Sequence, residues 1–223
     1  MRTRTKVLVG IGVAGVVLVG AAVLVGPQLY ANYANGAAAP EPTLTASGLA
    51  LDAGNLDGTW SVADGSVAGY RVHEVLRGID VRVVGRTPQV EGTVRVADGS
   101  VTAASVTVDM ASVTTPEPPR DAYFRRTVLD VRKFPTSTFV LTSPAKLDAS
   151  GDATLVGDLT VHGVTRPVHL SARAAGGPAA VDVVGSVPLT FADYGVEAPA
   201  LGFVTVDKQG AIEFALHLTP ESR

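Results

Sequence analysis

The side chains able to do chemistry are few and scattered. Four histidines, His73, His162, His169 and His217, stand apart from one another. None has a partner at His-x-His or H-E-x-x-H spacing, so no metal site is expected. The chain has no cysteine, which removes thiol nucleophiles, thiolate ligands and disulfides together. It contains neither a G-x-S-x-G elbow nor a Walker loop. Asp152 and Asp158 fall in a turn or on the polar side of a strand, where solvated carboxylates are ordinary. Glu213 and His217 lie on the outer face of a late strand and read as surface. Gly10-Ile11-Gly12-Val13-Ala14-Gly15 matches the dinucleotide pattern G-x-G-x-x-G, but it sits inside an uncharged apolar run with no strand before it, so the nucleotide reading fails. No catalytic residue and no cofactor are expected. A net charge of −3 with no basic stripe also argues against nucleic acid.

One group of charges is concentrated: Arg120, Arg125, Arg126, Arg132 and Lys133. Guanidinium groups match phosphate geometry, which makes Arg120 and Arg125 candidates for holding an anionic headgroup. The same residues also fit a solvated helix face, because Asp121–Arg125 and Arg126–Asp130 are opposite charges one helical turn apart. Both readings remain open at this stage.

The stretch that carries these charges, Pro119 to Phe139, departs from the period of its surroundings. Phe124, Val128 and Val131 share a face at helical spacing, Pro118 and Pro119 suit a helix entry, and Pro135 suits a stop. With Phe134, Phe139 and Tyr123 nearby, a short aromatic helix is expected here, either as a lid over a barrel or as a cap on an ordinary core.

Around it the chain alternates apolar and polar residues in short runs. Val90, Gly92, Val94 and Val96 oppose Glu91, Thr93 and Arg95, and Asp98-Gly99 follows as a hairpin signal. Similar runs place Val106, Val108 and Met110, then Phe139 and Leu141, then Leu155 and Leu159, on the apolar side. Leu170, Val183 and Phe214 continue the series, and a less regular early run offers Tyr70 and Val72. At least eight such strands with hairpin-length links predict an all-β fold, an antiparallel barrel or sandwich with one short helical insertion, and one wet and one dry face suit the sheet closed on itself as a barrel. An eight-stranded barrel has room for its own side chains or for one slender ligand. The residues expected to line it are Tyr70, Val72, Val94, Val106, Val108, Met110, Phe139, Leu141, Leu159, Leu170, Val183 and Phe214. Phe124, Val128 and Phe134 join them from the insertion. Gly92, Gly157 and Gly185 also fall on the inner side. They mark either bulges and corners or places where missing side chains leave a tunnel. The interior set carries no charge, so an enclosed ligand would be apolar.

Ahead of this domain, residues 1–6 carry Arg2, Arg4 and Lys6, and residues 7–26 form an uncharged apolar run. Twenty helical residues reach across a ~30 Å hydrocarbon layer, which predicts a single-pass signal-anchor with its N-terminus cytoplasmic. Cleavage near Ala37-Ala38-Ala39, giving a secreted form, is the alternative. Residues 27–57 read as a flexible linker with a reach of ~30 Å. The folded domain then spans residues 58–220, outside the membrane.

Several stretches together resemble the YceI-like polyisoprenoid-binding family. Trp60-Ser61-Val62 with Tyr70-Arg71-Val72 is similar to its opening strands, and Arg120-Asp121 followed by Leu129-Asp130-Val131-Arg132-Lys133-Phe134-Pro135 to its centre. The most specific stretch is Gly157-Asp158-Leu159-Thr160-Val161-His162-Gly163-Val164-Thr165-Arg166-Pro167-Val168. Asp193-Tyr194-Gly195 resembles the late turn. The resemblance implies an extended lipocalin-like barrel binding an isoprenoid lipid, a polyprenyl phosphate or an isoprenoid quinone, with no enzymatic activity. The chain departs from the family at Tyr123-Phe124, Arg126 and Val128-Leu129, which bear on the headgroup. A filled barrel serving as a structural or protein-interaction module of the envelope is the competing expectation.

Overall fold

The structure is a computed structural model that describes residues 26–44, 51, 56–200 and 202–221. The predicted membrane span, residues 7–26, lies outside the described residues except for its last position. Among the described residues no helix is long and apolar enough to cross a membrane.

Eleven strands form one antiparallel sheet: β1 (Gly58–Val62), β2 (Val67–Leu76), β3 (Ile79–Thr87), β4 (Val90–Ala97), β5 (Ser100–Asp109), β6 (Thr136–Ser143), β7 (Ala145–Lys146), β8 (Asp152–Val161), β9 (Val164–Gly177), β10 (Ala180–Thr190) and β11 (Val204–Pro220). Strands β1, β4, β5, β6, β8, β9, β10 and β11 close into a ring, since β1 pairs with both β4 and the end of β11. Closure follows from the alternation: an antiparallel sheet with one apolar face buries that face by curling on itself, and it loses its edges in doing so. Asp98-Gly99 and His162-Gly163 both have positive φ at each residue, as the two-residue hairpin turn requires.

The long β11 serves two partners along one edge. Its last residues pair with β1, and Val204 to Ala215 pair with β2, which in turn pairs with β3. Beyond β3 the ring is not continued by a strand. A single bridge, Arg86–Thr114, ties β3 to the segment leading into the insertion. The insertion is a short helix, α2 (Pro118–Tyr123), followed by one π-helical turn, Phe124–Val128. Prolines occupy the first positions of α2, where a missing N–H costs nothing. Asp130, at φ 41°, ends the helical run before Val131.

The insertion corrects one expectation. Asp121 does not pair with Arg125 on a wet face; it is buried and accepts hydrogen bonds from the Thr115 amide and hydroxyl at 2.9 and 2.8 Å. Arg126–Asp130 is likewise absent from the ion pairs of the described residues. The wider π turn, with its five-residue hydrogen bond from Leu129 to Phe124, and the positive φ at Asp130 break the regular four-residue spacing on which the pair depends.

Part of the stretch read as a linker is ordered. Residues 26–37 form a helix, α1, with Ala31 and Ala34 buried against Val72, Val81 and Val83. The Asn35 side chain donates to the Asp80 carbonyl at 3.0 Å and accepts from the Arg82 amide at 2.7 Å. One amide side chain thereby satisfies a donor and an acceptor on the free edge of β3, the exposed kind of edge that otherwise templates aggregation.

Candidate functional site

The barrel interior is hollow in two adjoining parts. The narrower has a volume of about 140 Å³ and lies deep in the ring, lined by Val94, Val106, Phe139, Leu159, Leu170, Val183 and Phe214 among others. Its far end is stopped by Leu56, Leu147 and Trp60, whose indole N–H donates to the Leu56 carbonyl at 2.8 Å. The wider part, about 700 Å³, is lined by Tyr70, Val72, Met110, Phe124 and Val128. Ala68, Val108, Ser137 and Ile212 border both, so the two adjoin at these residues, the neck of the hollow. A barrel packed solid by its own side chains is not what forms here.

Thirteen of the fifteen residues expected to line the interior border one or the other part of the hollow. Phe134 does not. It turns outward onto the β8–β9 turn, edge-on to His162 at 4.5 Å between ring centroids, over Gly163, where a Cβ would leave it no room. Leu141 packs into the surrounding core beside the register shift between Leu141 and Ser143 and borders neither cavity. Arg125 is not at the mouth either, because its guanidinium donates to the Val113 carbonyl at 3.1 Å and so fixes the insertion to the loop before it. The inward glycines are not vacancies. The Phe139 ring covers Gly157, the Phe214 ring covers Gly185, and a side chain at Gly92 would strike the backbone of Ser105 and Val106. Of the three, only Gly157 adjoins a bulge.

The wide end contains charge, contrary to the uncharged interior expected. Glu74 falls in phase with Tyr70 and Val72 on β2 and therefore points inward, where it is buried. Arg120 of α2 donates to its carboxylate at 2.6 Å and approaches the Tyr30 hydroxyl of α1 at 3.4 Å. Burial pushes Glu74 above the usual glutamate range, while Arg120 pulls it back. Burial likewise raises the Tyr70 phenol well above its ordinary value, so it remains an O–H donor facing the cavity. Tyr70 stacks on Phe124 at 4.9 Å, locking the insertion onto β2. Glu74 could have been found from the alternation alone, since a charge in register with two apolar neighbours is the signal. Tyr30 had no comparable mark, because its partner hairpin is more than forty residues away.

The outer face holds a second charged set. Glu213, expected at the surface, is buried at 4% exposure, with Arg71 donating at 2.5 Å and Arg86 also in contact. Arg71 further donates to the Ala39 carbonyl at 2.9 Å, securing the chain that follows α1. The histidines stay apart. His73 lies 3.1 Å from both Asp80 and Asp207, His217 bonds Asp182 at 2.7 Å, and His162 sits in its turn. Among the described residues no three metal-ligating side chains converge.

An apolar closed barrel with a hollow axis and a polar mouth agrees with the comparison against protein families. Residues 60–218 match the YceI-like domain. The chain belongs to the YceI-like family. A UPF0312 protein of Shewanella denitrificans is 34% identical over 137 residues, covering 56% of this chain and 71% of that protein. Protein YceI of Escherichia coli is 40% identical over 73 residues, 32% of this chain and 37% of its own length. Two solved structures share the fold. One is a polyisoprenoid binding domain from Saccharophagus degradans, with TM-score 0.58, 17% identity, and coverage of 73% of this chain and 98% of that one. The other is Burkholderia cenocepacia BcnA, with TM-score 0.55, 19% identity, and coverage of 66% and 95%.

Proposed function

We propose that this YceI-like protein holds the hydrocarbon chain of a long isoprenoid lipid along its barrel axis, as an extracytoplasmic carrier, store or sensor anchored by residues 7–26. The observation that carries the reading is the distribution of polarity. The hollow is apolar from the Trp60 end to the neck, and polar side chains gather at the wide end, around Glu74, Arg120 and Tyr30. A slender amphiphile fits that gradient with its tail inward. At about 0.8 kcal/mol per CH₂ removed from water, enclosing ten carbons is worth about 8 kcal/mol relative to exposing them, which keeps a prenyl chain out of water once it has left a bilayer. The Saccharophagus domain, described as polyisoprenoid binding, supports the same ligand class.

Between a polyprenyl phosphate and an isoprenoid quinone, the mouth favours the neutral head. Arg120 is already engaged by Glu74, and Glu197 is a second carboxylate bordering the same cavity. A phosphate would enter beside two carboxylates, whereas a quinone carbonyl would accept from the Tyr70 hydroxyl or the Arg120 guanidinium. Organic extraction of the purified full chain followed by lipid mass spectrometry tests both levels. A prenyl lipid recovered in near-stoichiometric amount supports the function, and its head identifies the class. Protein that stays empty after incubation with prenyl quinone and prenyl phosphate would overturn it.

A further inference from the structure

Five large apolar side chains are strongly exposed among the described residues: Leu29 (63%), Tyr33 (58%), Phe203 (56%), Val140 (45%) and Tyr123 (38%). Single exposed apolar residues need no explanation, but a grouping does. Four of these five lie on the border of the wide cavity or on α1, the helix whose Tyr30 borders it. Tyr123 and Phe203 border the wide cavity themselves. Leu29 and Tyr33 share the face of α1 turned away from Ala31 and Ala34, beside Tyr30, which also borders it. We infer that the wide end is a bilayer-docking face, with Leu29, Tyr33, Tyr123 and Phe203 entering the lipid interface so that the cavity opens onto membrane rather than water.

The bilayer is the occupant argued for because of what joins α1. The uncharged apolar run of the sequence leads directly into residue 26, and α1 is fixed to the β2–β3 hairpin through Ala31, Ala34 and Asn35. At ~1.5 Å per helical residue, Leu29 stands ~5 Å along α1 from the end of that run. A flexible tether would let the domain wander, whereas a helix clamped to the mouth does not. Tyrosine is enriched at membrane interfaces, where an apolar ring and a polar tip are both accommodated. Two exposed cations flank the apolar group. The Arg77 amide donates to the Phe203 carbonyl, and Arg126 follows Tyr123 by one turn. Neither belongs to an ion pair among the described residues. Their charge complements anionic lipid headgroups; of the two acids bordering the cavity, Glu74 is paired with Arg120 and Glu197 is not in an ion pair among the described residues.

This inference deepens the lipid-binding reading, and its test separates the two. Because the chain has no cysteine, Tyr33→Cys, Phe203→Cys and the control Val140→Cys each give one labelling site on the full chain. Each is labelled with a fluorophore and bound to vesicles of phosphatidylcholine and phosphatidylglycerol carrying a doxyl-lipid quencher. The docking face predicts at least three-fold stronger lipid quenching at positions 33 and 203 than at 140, with protection from aqueous iodide. Equal quenching at all three sites, or full chain that stays off the vesicles, overturns it. Protection from iodide without lipid quenching also overturns it, since another protein surface then covers the face. Leu29→Cys and Tyr123→Cys provide further exposed sites should a variant fold poorly. Bound prenyl lipid is measured on the same samples: docking lost with lipid retained sinks this inference alone, and docking with no lipid sinks the functional reading alone.

Discussion

Glu213 and Glu74 are both buried glutamates paired with arginine, yet they titrate in opposite directions. Burial raises Glu213, but hydrogen bonds from Arg71 and Arg86 outweigh it and hold the carboxyl below the usual range. A carboxyl with a depressed folded pKa binds fewer protons folded than unfolded. Its stabilisation is therefore present above the unfolded value of about 4.3 and lost as pH falls through the folded one. Glu213→Gln should flatten that acid limb in denaturant melts taken from pH 6 downward, and an unchanged acid limb would show the pairing is inert. Glu74 is raised by burial against the pull of Arg120, so its contribution instead weakens as pH rises through the folded value. Gly157 makes a different demand. A methyl there meets the Phe139 ring and the Val140 carbonyl, so Gly157→Ala should cost about 1–3 kcal/mol from overpacking, read as a lowered urea midpoint with unchanged m-value.

Among the elements, α1 has two roles. It walls the open side of the hairpin β2–β3, and it occupies the edge of β3 through Asn35. Asn35→Ala removes two hydrogen bonds and should cost about 1–2 kcal/mol. Hydrogen exchange is the sharper readout: the Arg82 amide should exchange markedly faster while amides in the closed ring hold. Equal protection in variant and parent would mean that α1 does not guard that edge. The insertion is anchored comparably, by Tyr70 stacking on Phe124 and by Arg125 on the Val113 carbonyl. A π-helical turn carries Phe124 and Val128 into the cavity wall, and such turns recur at functional sites.

For the molecule as a whole, the neck at Val108 decides how much chain fits. Val108 borders both parts of the hollow, so Val108→Phe should obstruct the deep part while leaving the wide one open. Lipid mass spectrometry should then recover shorter prenyl chains or a several-fold lower yield, with thermal stability within a few degrees of the parent. Unchanged chain length and yield would place the tail outside the axis. Among the described residues, Leu56 and Trp60 border the narrow part at one end, and Tyr123 and Phe203 border the wide part at the other.

Alternation in strands such as Val90–Val96 and Leu155–Val161 determined the fold class and most of the lining. Side-chain direction in a strand is local, fixed by a period of two, and closure follows once one face must be buried. The hairpin turns at Asp98-Gly99 and His162-Gly163 were equally local. What only the tertiary structure decided is which long-range partner each exceptional residue meets. Phe134 left the interior for a turn some thirty residues on, Glu213 acquired two arginines from neighbouring strands, and Arg120 met Glu74 across the mouth. Helix α1 is the clearest case. Its composition reads as a linker, and its order comes from a hairpin more than forty residues later that supplies the apolar surface a short helix cannot provide for itself.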